Sequence, residues 1–322
     1  TPISSAGCSG DSFTVTVSVN PEPVGVALTP AVCSDVALTA GAATLSTTGG
    51  PIASYTISVN SNGLTQSAGT ASAGTGKLSN ELVGDAWTNT GSSAVNVVYT
   101  ITPISTSGCA GNSFTVTVTV NPEPVGVVIN TSTCSDVALT AGAVTLSTTG
   151  GAIQDYTISV NANGLTQTGG TASAGANKAS TELVGDMWRN TSSAPVNVVY
   201  TVTPRSTSNC FGDSFLVTVT VNPEPVGVAL TPTVCSDVAL GSGVTLSTTG
   251  SSVSAASYTI STNPNGLTQS AGTTSAGSGK SANELTDDAW TNTTSSSVNV
   301  IYTITPISSA GCSGDSFTVT VS

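Results

Sequence analysis

Phe114-Thr115-Val116-Thr117-Val118-Thr119-Val120 decides the fold class of this 322-residue chain. Phe114, Val116, Val118 and Val120 fall on one side of an extended backbone, and Thr115, Thr117 and Thr119 on the other. A period of two carried by β-branched residues is the mark of a strand with one buried face. Just upstream, Val97, Tyr99 and Ile101 alternate in the same way with Val98, Thr100 and Thr102. The segment between them, Ser105-Thr106-Ser107-Gly108-Cys109-Ala110-Gly111, has the composition of a turn. The two runs therefore predict a hairpin.

Working outward, residues 24–28, 43–47, 55–59 and 82–88 read as further strands, punctuated by Gly49-Gly50-Pro51 and Asn62-Gly63. Helical spacing is confined to a single turn over residues 80–85. About seven short strands in roughly 100 residues predict an immunoglobulin-like β-sandwich with Greek-key connections. Trp87 and Tyr99 are expected in its core.

The pattern repeats with a period of 101 or 102 residues. Asn-Pro-Glu-Pro recurs at Asn20, Asn121 and Asn222, Cys-Ser-Asp at Cys33, Cys134 and Cys235, and a tryptophan at Trp87, Trp188 and Trp290. Residues 1–18 and 305–322 are identical, so the sequence closes on itself after 304 residues, or three modules. The expected layout is the last strand of a preceding module (1–20), then modules at 21–121, 122–222 and 223–322, cut from a longer periodic array. The paired prolines stiffen each junction. At ~3.3 Å per residue, strands of about eight residues give modules some 35–45 Å long.

Composition removes several functions. Charged residues make up 7% of the chain, with 17 acids against 5 bases and no histidine. A net charge of −12 excludes a surface that tracks nucleic-acid phosphates and disfavours anionic membranes. Without histidine there is no Ser-His-Asp arrangement and the commonest metal ligand is missing. No apolar run approaches the ~18 residues of a membrane span.

The seven cysteines, Cys8, Cys33, Cys109, Cys134, Cys210, Cys235 and Cys312, are spaced alternately by 25 and by 76 or 77 residues. Pairing across the short spacing would join the turn before a module's last strand to a point beyond that strand. That distance far exceeds the ~7 Å Cα separation a disulfide allows. The expected set therefore stays within modules, Cys33–Cys109, Cys134–Cys210 and Cys235–Cys312, with Cys8 paired outside the chain. It requires Cys33 to lie at the same end of the module as Cys109. Disulfides place the chain in an oxidising, extracellular setting.

Several segments recur in every module. In the first they are Cys33-Ser34-Asp35, Trp87-Thr88-Asn89, Tyr99-Thr100-Ile101-Thr102-Pro103, Gly108-Cys109-Ala110-Gly111 and the run from Phe114 to Val120 leading into Asn121-Pro122. Together they resemble the PKD-like, immunoglobulin-like repeats of giant surface adhesins of Bacteroidota, many of them exported by the type IX secretion system that also delivers gliding-motility adhesins. The resemblance covers nearly the whole chain. It implies an all-β tandem array of sandwich modules, an extracellular or cell-surface location and a stalk-like role, and it supplies no catalytic residue.

No cofactor is expected. The acids Glu22, Asp35, Glu81 and Asp85, with Glu123, Asp136, Glu182 and Asp186 in the next module, raise structural Ca²⁺ at the junctions as an alternative. Solvated or turn-capping roles are the simpler account. Glu81 and Asp85 as an acid–base pair for glycoside hydrolysis fit poorly with three near-identical copies and few aromatics. The leading expectation is a non-enzymatic structural repeat region, the shaft of a long adhesin or filament, whose partners are neighbouring copies of the same repeat. The alternative is a set of binding modules acting by avidity on surface glycans, proteins or abiotic surfaces.

Overall fold

A computed structural model describes residues 1–322. The first full module contains nine strands and one helical turn: β1 (Val24–Gly25), β2 (Ala31–Cys33), α1 (Ala40–Ala43), β3 (Thr47–Thr48), β4 (Ile52–Asn60), β5 (Thr65–Ala68), β6 (Gly74–Lys77), β7 (Ala86–Thr88), β8 (Val95–Ser105) and β9 (Phe114–Asn121). One layer is a five-stranded sheet in the order β2-β9-β8-β4-β6. The facing layer consists of the short pairs β1-β3 and β5-β7. The sheets of the later modules repeat the main-sheet order, in Ile129–Cys134, Phe215–Asn222, Val196–Ser206, Ile153–Asn161 and Gly175–Lys178, and again over Ala255–Val321 in a four-stranded version.

The alternation read from the sequence sets the packing. β8 and β9 pair antiparallel from Val95 opposite Val120 to Ile101 opposite Phe114. Val97, Tyr99, Ile101, Val116, Val118 and Val120 are fully buried, and the threonines between them face outward or are half-buried. They meet Leu38, Leu45, Tyr55, Ile57, Leu82 and Trp87 from the rest of the module. The same apolar set recurs around Tyr200 and Tyr302. Three separate sandwich cores result, and both Trp87 and Tyr99 lie inside theirs.

Three expected strands are shorter than their sequence suggested. Residues 24–28 pair only at β1 and through a single parallel bridge from Leu28 to Val116. Residues 43–47 are preceded by the turn α1, where the Ala43 and Thr44 N–H groups donate to Thr39 and Ala40 at 3.1 Å. An alanine-rich tetrapeptide favours helix over strand, yet Ala43 and Leu45 still reach the core. In residues 82–88, only β7 is extended. Residues 80–85 form successive tight turns, in which Val83 N–H donates to Asn80 at 3.0 Å and Asp85 N–H to Leu82 at 3.2 Å.

One repeated glycine has a packing reason. A Cβ built on Gly25, Gly126 or Gly227 would lie 1.9, 1.8 or 2.0 Å from the ring of Phe114, Phe215 or Phe317. The first residue of each last strand thus lies flat on the backbone just after Asn-Pro-Glu-Pro. We expect Gly126→Ala to cost at least about 1–3 kcal/mol, the usual range for overpacking, and to lower the urea midpoint without changing the slope.

By internal packing the chain divides into two compact units. One comprises Thr1–Pro124 with Gly150–Ala152 and Ser206–Phe211; the other comprises Val125–Thr149, Ile153–Arg205 and Gly212–Ser322. Residues 1–20 join no sheet. They make a small turn closed by an Ile3–Ser9 bridge, and Phe13, Val15, Val17 and Val19 are 68–89% exposed.

Candidate functional site

Each module buries one carboxylate, the feature that sequence reading missed. Asp85, Asp186 and Asp288 are 1%, 0% and 1% exposed. The Asp85 Oδ2 accepts from the Tyr99 hydroxyl at 2.8 Å and the Ser72 hydroxyl at 2.7 Å, and Oδ1 accepts from Gln66 Nε2 at 3.0 Å. Trp87 Nε1 donates to the same Tyr99 oxygen at 2.9 Å, with the rings edge-on at a centroid distance of 6.4 Å. Asp186 with Tyr200, Ser173, Gln167 and Trp188, and Asp288 with Tyr302, Ser275, Gln269 and Trp290, repeat the set. The loop wraps the carboxylate so closely that a Cβ on Gly69 would fall 2.2 Å from Asp85 Oδ1.

The turn-capping or solvated role expected for Asp85 and Asp186 is therefore corrected. The core carboxylates hold the hydroxyls and amide that would otherwise be stranded between the layers, and no buried side-chain nitrogen or oxygen lacks a partner. The neighbouring acids go elsewhere. Glu81, Glu182 and Glu284 form ion pairs with Lys77, Lys178 and Lys280 at 2.7–2.8 Å. Asp35 accepts from Thr88 at 2.6 Å and Asp136 from Arg189 Nε at 2.9 Å. No group of three or more acids and cysteines is gathered closely enough to hold a metal. Around Asp136 and Arg189 lies an open cleft of about 520 Å³, to which Glu224 and Asp315 contribute.

Burial pushes the carboxyls of Asp85, Asp186 and Asp288 above the usual range, partly offset by their serine and tyrosine donors. The Thr88 and Thr291 hydroxyls hold Asp35 and Asp237 below it, and Arg189 and Thr168 outweigh burial to do the same for Asp136. A raised native pKa adds stability that is complete below the unfolded value of about 3.9 and is lost as pH rises through the native value. A lowered one adds stability that is complete above about 3.9 and is lost as pH falls through the native value. Thermal melts from pH 7 downward should thus show Tm first rising, as the three core aspartates take up protons. Tm should then fall below about pH 3.9 as Asp35, Asp136 and Asp237 do so. Asp186→Asn should flatten the first phase and leave the second.

The cysteines pair differently from expectation. The structure joins Cys33 to Cys210 and Cys134 to Cys312, each with Cα atoms 5.5 Å apart, and leaves Cys8, Cys109 and Cys235 as thiols. The intramodular pairs Cys33–Cys109, Cys134–Cys210 and Cys235–Cys312 do not form, and the reason is β2. It runs parallel to β9, so Ala31 lies opposite Thr119 and Cys33 opposite Asn121, at the exit end of the module. The Ser34 N–H then donates to the Asn121 carbonyl at 2.8 Å. The Cys109 turn does lie at the entry end, as expected: a Cβ on Gly111 would be 2.0 Å from the Pro23 carbonyl oxygen. The two cysteines of one module thus occupy opposite ends of an eight-residue strand, about 25 Å apart at ~3.3 Å per residue. The cysteine within reach of Cys33 is the one in the equivalent turn of the next repeat, Cys210. There the turn is held by Ser206, whose hydroxyl accepts from Cys210 N–H at 3.1 Å.

A model of the PKD-like domain matches residues 1–23, 30–124, 130–225 and 232–322. No curated protein matches the chain. Among solved structures, Drosophila N-cadherin EC1-4 aligns at 10% identity and TM-score 0.25, over 94% of this chain and 75% of that one. Mouse Cadherin-23 EC22-24 aligns at 11% and 0.28, over 94% and 98%. The N-terminal eight Ig domains of Down Syndrome Cell Adhesion Molecule align at 12% and 0.32, over 94% of this chain and 42% of that one. With four matched segments spanning nearly all of its length, the chain belongs to the PKD-like domain family, as a tandem array of β-sandwich repeats.

Proposed function

We propose that this chain is part of the structural shaft of a long extracellular surface adhesin or filament, and that it performs no catalysis. The observation that carries the reading is the pair of staggered disulfides, Cys33–Cys210 and Cys134–Cys312, each spanning 177 or 178 residues from one repeat into the next. A binding or catalytic module needs its own stability and a free site. A cross-link between repeats serves the junction itself, and repetition of the same module serves length.

Other observations agree. The polar groups that recur in all modules are occupied by partners within the fold, as the Asp85, Asp186 and Asp288 networks illustrate. Disulfides persist outside the reducing cytosol. The resemblance to Bacteroidota surface repeats supports the cell surface as location and type IX secretion as the route.

Electron microscopy of the native material tests the proposal. The expected result is a thin filament with an axial repeat of about 35–45 Å, or three times that. Compact isolated particles would count decisively against a shaft. Saturable binding of one isolated module to glycans would favour adhesion by avidity instead.

A further inference from the structure

We propose that the cleft around Arg189 binds a protonated amino sugar, a hexosamine unit of a polysaccharide, and that it does so at this one place in the chain. The inference goes beyond the shaft reading, because a shaft needs no ligand.

The cleft holds about 520 Å³, within the ~300–1,000 Å³ of small-molecule sites. Its lining, which includes Asp136, Arg189, Glu224, Ser251 and Asp315, belongs entirely to the second compact unit. A further cleft of about 230 Å³ shares Arg189, Asn190 and Thr191 with it and adds the apolar side chains of Leu165 and Val196. Arg189 thus stands between two hollows.

Two departures from the repeat build the site. Arg189 occupies the position that Thr88 and Thr291 hold in the other modules. The turn from Ser247 to Tyr258 is two residues longer than its counterparts, Ser46 to Tyr55 and Ser147 to Tyr156, and it brings Ser251 and Ser252 to the wall of the cleft.

The charged groups have capacity that the fold does not use. Arg189 donates through Nε to Asp136 Oδ2 at 2.9 Å, and its side chain stays 56% exposed. Its two terminal amino groups make no hydrogen bond within the chain. Glu224 is half-buried and Asp315 exposed, and neither carboxylate has a hydrogen-bond or ion-pair partner. Burial, with Asp136 and Asp315 nearby, pushes the Glu224 carboxyl above its usual range, and Arg189 opposes them only in part. The Asp136–Arg189 pair is neutral, so Glu224 and Asp315 leave the cleft with negative charge in excess.

This set selects among ligands. An anion is repelled by Glu224 and Asp315. A divalent cation needs several oxygen ligands closed around it, and no three acids are gathered closely enough. A protonated amine needs less: a carboxylate for its charge and hydroxyl oxygens for its remaining protons. The free amino groups of Arg189 then call for neutral acceptors on the same ligand. The Thr191 and Ser251 hydroxyls, which also make no hydrogen bond within the chain, call for donors or acceptors. Hydroxyls placed beside the amine supply both, and a hexosamine ring carries that combination.

Isothermal titration of the full chain tests the proposal. The probes are the chitosan tetrasaccharide, its N-acetylated counterpart and putrescine, an amine without hydroxyls. We expect saturable binding of the chitosan tetrasaccharide at one site per chain. Both other probes should bind roughly tenfold or more weakly, the worth of one charge-assisted hydrogen bond. Glu224→Gln should weaken binding to the same degree. Arg189→Thr, which installs the residue found in the other two modules, should weaken it as well. Mere attraction of a cation to an acidic chain predicts the reverse, since that change removes a positive charge. No saturable binding, three sites per chain, or equal binding of the acetylated probe or putrescine overturns the proposal. So does undiminished binding by Glu224→Gln or by Arg189→Thr.

Discussion

Replacing Asp186 with alanine is expected to destabilise its module by about 3–5 kcal/mol, the cost of removing one partner from a buried charged network. Three donors converge on this carboxylate: the Tyr200 hydroxyl at 2.8 Å, the Ser173 hydroxyl at 2.7 Å and Gln167 Nε2 at 3.0 Å. Alanine leaves all three donors without their acceptor inside the sandwich. Each buried, unsatisfied group costs roughly 1–3 kcal/mol. Asparagine keeps the shape and an accepting oxygen, so Asp186→Asn should cost less, about 1–3 kcal/mol. Tyr200→Phe removes a single donor from the carboxylate and also the acceptor of Trp188 Nε1; its loss should lie between the two. Urea melts following tryptophan fluorescence would read all three. Equal stability of Asp186→Ala and the parent chain would show that the carboxylate is ornamental.

Cys210→Ser is expected to have an effect of similar size by another route. Closing a loop of 177 residues stabilises by about 5 kcal/mol in the chain-entropy model. The loops of the two disulfides overlap between residues 134 and 210, so their contributions do not simply add. Cys109→Ser should leave the melting temperature of the monomer unchanged, because Cys109 has no partner within the chain. Intramodular pairing would give the opposite pattern, with Cys109→Ser destabilising. The contrast between these two single substitutions, read by calorimetry, decides between the pairings. Addition of reductant should then remove the difference between Cys210→Ser and the parent.

The sandwich was legible because its evidence is local. Alternation in residues 114–120 and 97–102 places Tyr99, Val116 and Val118 inside without any knowledge of their partners. What failed depends on partners distant in sequence. Residues 1–18 and 305–322 are identical, yet Val319 and Val321 are buried in a sheet while Val15 and Val17 lie in solvent. Pattern supplies the propensity, and the neighbouring strands supply the fold. Asp85 carries no local sign of burial, since its donors come from Gln66, Ser72 and Tyr99. The one available signal was that Gln66, Ser72, Asp85, Trp87 and Tyr99 all recur at the same places in each repeat. The cysteine pairing failed on a single direction. Placing Cys33 at the same end of the module as Cys109 left out the parallel pairing of β2 with β9, which carries Cys33 to the far end.

The overlap of the two staples has a mechanical consequence. Pulled from its ends with both disulfides reduced, the stretch from Cys33 to Cys312 spans 279 backbone steps, a contour of roughly 900–1,000 Å at ~3.3–3.6 Å per residue. With both closed, the shortest covalent path jumps from Cys33 to Cys210, runs back to Cys134 and jumps to Cys312. That path holds only 76 backbone steps, or about 250–270 Å. The middle stretch is thus loaded in reverse, from Cys210 towards Cys134, while its two neighbours carry slack. Oxidised material would yield by roughly a quarter of its reduced reach and then stop, as a tether with a built-in limit of extension.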